Sequence, residues 1–178
     1  MKTRTGDIIK LMLDAEYDVA IHGVNCMSTQ KSGLAAQMSD VFKTDSSVYF
    51  NLESPSFTVN AFKFKENKLG CIEYAEYYVN GERAIFVNDL TRGRRNEQVV
   101  TIVNCYTQAY PGKGFYSNIP LNYAALELCL MKVNHQFKGK TLALPKIGAG
   151  LARGYWDLIA EIVERTLTDI DYTLIELP

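Results

Sequence analysis

Short apolar runs alternate along the chain with stretches whose apolar residues recur every three or four positions, and the two kinds predict strands and helices respectively. Val19-Ala20-Ile21-His22-Gly23-Val24 is short and almost wholly apolar, as a strand buried on both faces requires. Val99 to Asn104, Thr141 to Pro145 and Tyr172 to Leu177 predict further strands. Gly33 opens a helical pattern with Leu34, Met38, Val41 and Phe42 on one face. A second helix is expected to start at Pro120, burying Leu121, Ala124, Ala125, Leu128 and Met131. Trp156, Ile159, Ala160, Val163 and Leu167 define a third. Tyr74 to Val79 and Arg83 to Val87 flank Asn80-Gly81, a hairpin signal. The alternation predicts an α/β domain.

Composition narrows this picture only a little. A chain of 178 residues suits one domain, and no repeat, low-complexity tract or Pro/Ser-rich linker divides it. A net charge of -1 offers no long-range attraction for nucleic acid or an anionic membrane, so neither is an expected partner. No apolar run is long enough to span a bilayer, and the first residues lack a signal peptide's apolar stretch. Cys26, Cys71, Cys105 and Cys129 form no Cys-x-x-Cys pair, so reduced thiols, mostly core filler in a cytoplasmic protein, are expected, with no metal site and no cofactor. The basic stretch Arg92-Gly93-Arg94-Arg95 reads as a solvated hairpin tip before it reads as a phosphate contact.

Candidate chemistry lies in two loops that each join a predicted strand to a predicted helix, 25–33 and 146–154. Glycines, backbone N–H groups and a helix start are what a diphosphate needs, and none of them requires net charge. More familiar phosphate sites do not fit. Gly148-x-Gly150-x-x-x-Gly154 follows a strand, but only one more strand remains, too little for a dinucleotide-binding sheet. Asp169-x-Asp171-x-Thr173 precedes the last strand, leaving no chain to build an aspartyl-phosphatase site. There is no P-loop and no cysteine followed six positions later by arginine.

Taken in order, Gly6-Asp7-Ile8, His22-Gly23-Val24-Asn25-Cys26 with Lys31-Ser32-Gly33-Leu34-Ala35, Val103 to Gln108, and Pro145 to Leu151 with Trp156 resemble the motifs of the macro domain family. Within it the first loop is similar to the subgroup of yeast ADP-ribose 1''-phosphate phosphatase and the human terminal ADP-ribose glycohydrolase, and Asn104-x-Tyr106-Thr107-Gln108 to phage-encoded members. The resemblance implies a three-layer α/β/α domain with a mixed central sheet, spanning the whole chain, with 73–99 treated as a hairpin insertion. Ala152 stands where the glycohydrolase pattern has Asp, which removes the obvious general base for cleaving an ADP-ribosyl ester.

The resemblance thus implies a small-molecule ligand, ADP-ribose or ADP-ribose 1''-phosphate, and hydrolysis of the latter to ADP-ribose and phosphate. Asp7 and Ile8 would hold adenine. Ser32, Gly33 and Leu34, with Pro145, Gly148, Ala149, Gly150 and Leu151, would wrap the diphosphate and distal ribose. Asn25 would orient that ribose and His22 act as acid/base. A non-catalytic ADP-ribose reader and a hydrolase with a rearranged catalytic set remain open. So do plainer roles: a core histidine for His22, a turn former for Asn25, a helix start for Asp7, and a core anchor for Trp156.

Overall fold

The computed structural model describes residues 1–27, 29–45, 68–87, 97–111 and 119–177. In chain order these form β1 (Lys2–Thr5), α1 (Ile8–Leu13), β2 (Val19–Asn25), α2 (Gly33–Phe42), β3 (Ile72–Val79), β4 (Ala84–Phe86), β5 (Gln98–Gln108), α3 (Tyr123–Gln136), β6 (Thr141–Leu144), α4 (Trp156–Thr166) and β7 (Asp171–Glu176). The strands make one seven-stranded sheet in the order β1-β7-β6-β2-β5-β3-β4. The first five in that order run parallel, while β3 pairs antiparallel with both β5 and β4.

Side-chain alternation along the strands divides the core in two. Val19, Ile21, Val103, Cys105, Leu142, Leu144 and Leu174 pack with α3 and α4. Ala20, Ile102, Ala143 and Ile175 face the other way and pack with α1 and α2. The central strands bury both faces, which is why their sequences read as continuous apolar runs.

The expected hairpin is present: Val79 pairs with Ala84 across the turn that contains Gly81, and the pair forms one side of the sheet. The Arg92–Arg95 stretch lies outside the described residues. One expectation changes. The α3 stripe consists of Ala125, Leu126, Cys129, Leu130 and Val133, whereas Ala124, Leu128 and Met131 are exposed. The helix begins after Pro120, with Asn122 as its cap and its side chain accepting from the Ala125 amide at 2.9 Å. Leu121 is buried but lies before the first turn, so counting the stripe from it shifts the face. The pattern of apolar positions also leaves β1 unannounced: its Lys-Thr-Arg-Thr sequence is exposed throughout and is recruited by parallel pairing with β7.

No helix among the described residues is long and apolar enough to cross a membrane.

Candidate functional site at the carboxyl edge of the sheet

Because β1, β7, β6, β2 and β5 run parallel, the loops that leave their carboxyl ends share one edge. At neighbouring strands β2 and β6 the chain departs to opposite faces, through residues 26–32 into α2 and through 145–155 into α4. Such a divergence opens a crevice in which α/β proteins bind ligands. The two loops, here loop 1 and loop 2, approach each other across it: a methyl group added to Gly33 would lie 3.3 Å from Leu151 Cδ1.

Both helices that border the crevice start without a side-chain cap. Ser32 and Tyr155 occupy the cap positions in extended conformation, and neither side chain bonds to its first turn. Among the described residues, the amides of Gly33, Leu34 and Ala35, and those of Gly148, Gly150 and Leu151, have no acceptor. Open N–H groups at the positive end of a helix dipole favour an anion. Gly33 has φ +59 and Gly148 φ +78, left-handed values that suit glycine.

Loop 1 is held by side chains. Asn25 is buried; its Nδ2 donates to Thr29 O at 2.8 Å, and its Oδ1 accepts from the Thr29 amide and hydroxyl, each at 3.3 Å. Gln30 Nε2 donates to Thr44 O at 3.0 Å, while Thr44 Oγ1 donates to Gln30 Oε1. The same Thr44 carbonyl accepts from Asn104 Nδ2 of β5 at 2.9 Å. At the start of the loop, Cys26 packs on Val24 and Tyr106, and burial pushes its thiol up to about 11 against the pull of Lys68. Lys68 pairs with Glu73 at 2.7 Å and donates to Tyr106 Oη at 3.1 Å, and Tyr106 in turn donates to Glu73.

Loop 2 is held by its own backbone. Ile147 N donates to Pro145 O, Ala149 N to Lys146 O, Arg153 N to Gly150 O and Gly154 N to Gly148 O, all within 3.2 Å. Leu121 is the wedge beneath: a Cβ on Gly154 would come within 2.3 Å of its Cδ2, and the Leu121 amide donates to Ala152 O. Trp156 is partly buried against the α3/α4 core, with Lys146 Nζ 5.8 Å from its ring centre.

The remaining expected contacts fall in two groups. Asp7 follows β1 on the same edge and caps α1, its Oδ1 accepting from Ile9 N at 2.8 Å and from Lys10 N at 3.4 Å. The carboxylate is exposed, leaving Oδ2 available, and the Ile8 amide has no acceptor among the described residues. Ser32 closes loop 1, Gly33 and Leu34 open α2, and Pro145, Gly148, Ala149, Gly150 and Leu151 lie on loop 2.

His22 and Asn25 depart from the roles expected of them. The Asn25 amide is engaged by Thr29 at both ends, so its immediate work is to shape loop 1. His22 is 1% exposed on the α2 side of β2, opposite Asn104 in register. Neither ring nitrogen has a well-directed partner or reaches solvent. Burial lowers its pKa to about 4, with the nearby Asn104 amide opposing the shift, so the ring is neutral at physiological pH. His135 lies exposed in the last turn of α3, before β6.

No family model matches the sequence. An uncharacterized 17.5 kDa protein of Enterobacteria phage T4 from the tk-vs intergenic region is 28% identical over 176 residues, covering 96% of this chain and 92% of its own. Among solved structures, the macrodomain of Mycobacterium tuberculosis DarG superposes with a TM-score of 0.60 at 16% identity, over 98% of this chain and 95% of that one. The macrodomain of Thermus aquaticus DarG gives 0.59 at 14% identity, over 98% and 97%. Thermosipho africanus DarTG, in complex with ADP-ribose, gives 0.62 at 17% identity, over all of this chain and 42% of its own. With its mixed seven-stranded sheet between two pairs of helices, this chain has the three-layer α/β/α macrodomain fold.

Proposed function

We propose that the protein binds ADP-ribose, or a close derivative, along the carboxyl edge of the sheet. The observation that carries this reading is the close approach of the start of α2 and loop 2 across the crevice between β2 and β6, each with open backbone amides. The free amides of Gly33 to Ala35 and of Gly148, Gly150 and Leu151 would receive the diphosphate from both sides. Asp7 Oδ2 and the Ile8 amide supply one acceptor and one donor side by side, complementary to the amino group and ring nitrogen of adenine. Adjacent strands are about 4.8 Å apart, so β1 and β2 lie roughly 14 Å apart along this edge, a span that calls for an extended ligand. The ADP-ribose complex of the Thermosipho neighbour supports the same ligand class.

Hydrolysis of ADP-ribose 1''-phosphate with His22 as acid/base is a finer reading, and the geometry does not favour it. A proton-transfer group must come within hydrogen-bond reach of the substrate, and the His22 nitrogens are enclosed. The proposal is therefore binding, with phosphate release measured alongside it.

The test is calorimetric titration with ADP-ribose, repeated on Gly150→Glu. Gly150 is exposed and an added Cβ meets nothing within 4 Å, so the variant folds while placing a carboxylate among the free amides. Saturable binding by the native chain and a loss of about 100-fold or more in the variant are expected. Absence of binding by the native chain sinks the reading. Phosphate release from ADP-ribose 1''-phosphate that disappears in His22→Ala would reinstate His22 as acid/base.

A further inference from the structure

Between Asp7 and the crevice, the edge carries one ion pair that the binding scheme has not used. Glu176 is the last residue of β7 and Lys146 the second residue after β6, and their Oε1 and Nζ are 2.6 Å apart. Strand order fixes what lies where: β1 brings Asp7, β7 brings Glu176, β6 brings Lys146, and β2 brings loop 1. Glu176 is also tied to the Asp7 side, because its carbonyl accepts from the Gly6 amide at 2.9 Å. A ligand with its base at Asp7 and its diphosphate in the crevice therefore passes the ends of β7 and β6 with the sugar that joins the two.

We infer that Glu176 and Lys146 form the subsite for the adenosine ribose and make the protein selective for an unmodified 2'-hydroxyl over a 2'-phosphate. This rests on the proposed ADP-ribose reading. A carboxylate accepts hydrogen bonds from a ribose diol and repels a phosphate at the same place, which is how an acidic residue separates the two kinds of nucleotide in dinucleotide-binding sheets. Both side chains are open to solvent, at 37% for Glu176 and 49% for Lys146, so neither is a sealed structural contact. Lys146 has a second neighbour in the Trp156 ring, which confines its ammonium beside the carboxylate. The pair thus has a direction: Glu176 sets the preference and Lys146 moderates it. An exposed ion pair that only tied β7 to loop 2 would contribute little to stability and would leave selectivity untouched.

The experiment is calorimetric titration of the full chain, Glu176→Gln and Lys146→Ala with ADP-ribose and with its derivative phosphorylated on the adenosine 2'-oxygen. Thermal melting verifies the fold of each protein. The native chain is expected to prefer ADP-ribose by tenfold or more, on the order expected for juxtaposed like charges. Glu176→Gln should shrink that ratio several-fold by gaining affinity for the 2'-phosphate, and Lys146→Ala should widen it. Equal binding of the two ligands by the native chain, or the same ratio in all three proteins, overturns the inference and leaves ADP-ribose binding standing. Binding of neither ligand by the native chain overturns both.

Discussion

Loop 1, where it enters α2, and loop 2 both present free backbone amides, yet they are built in opposite ways. In loop 1 the side chains of Asn25, Gln30 and Thr44 turn inward and hold the backbone in place. In loop 2 the backbone closes on itself, and the close approach of Gly148 and Gly154 to Leu121 does the holding. Polar side chains in a glycine-containing binding loop are thus not by default the groups that touch ligand. Here the chemistry of Asn25, Gln30 and Thr44 is turned to the loop's interior, and the amides of the first turn of α2 are left open.

The difference can be broken most sharply at Gly154. Its added Cβ would fall 2.3 Å from Leu121 Cδ2 and 2.9 Å from Gly148 O, so Gly154→Val should destabilise the fold by about 3 kcal/mol, in the range of overpacked cores. Denaturant unfolding measures it; a change below 1 kcal/mol would mean that loop 2 is not held by close packing.

Loop 1 should respond differently. Asn25→Ala removes the Thr29 contacts that hold the loop backbone, so about 1–2 kcal/mol of stability is expected to go. Affinity for ADP-ribose should fall roughly tenfold as the amides at the start of α2 lose their position. An unchanged dissociation constant alongside a lowered melting temperature would separate the shape of loop 1 from binding.

An effect of similar size concerns pH, and it is read at His22 in β2. His22 is neutral in the fold with a pKa near 4 and returns to about 6.5 when unfolded, so the unfolded chain binds more protons between those values. Its contribution is therefore complete above pH 6.5 and is lost as the pH falls toward 4. Between pH 6.5 and 5 the native chain should lose about 1.5 kcal/mol that His22→Leu does not. Matched unfolding curves at the two pH values decide it, and parallel losses in both proteins would place the titration elsewhere.

Much of this fold is legible in the sequence because the informative segments are buried on both sides. The β2 and β6 runs and the Gly33 helix start carry their patterns locally, and the helix boundaries at Gly33 and Trp156 coincide with the loops that matter. What resists reading depends on distant partners. β1 is four polar residues that become a strand only against β7, and the α3 face is displaced because Leu121 is buried outside the helix. Of the site, the glycines and Asp7 are visible as loop and cap chemistry. The direction in which His22 points is set by strand register, and the engagement of Asn25 by a threonine four residues on. Lys146 and Glu176 stand 30 positions apart and meet only because β6 and β7 are neighbours; no local signal marks them.

The same polar β1 has a consequence for how copies of this chain behave in concentrated solution. It occupies a sheet border, with Lys2 bonded to Asp171 and Arg4 to Glu16. A second molecule trying to extend the sheet there would have to lay its own strand beside fixed charges and give up their hydration. The border that sequence patterning cannot see thereby resists runaway strand-to-strand polymerisation.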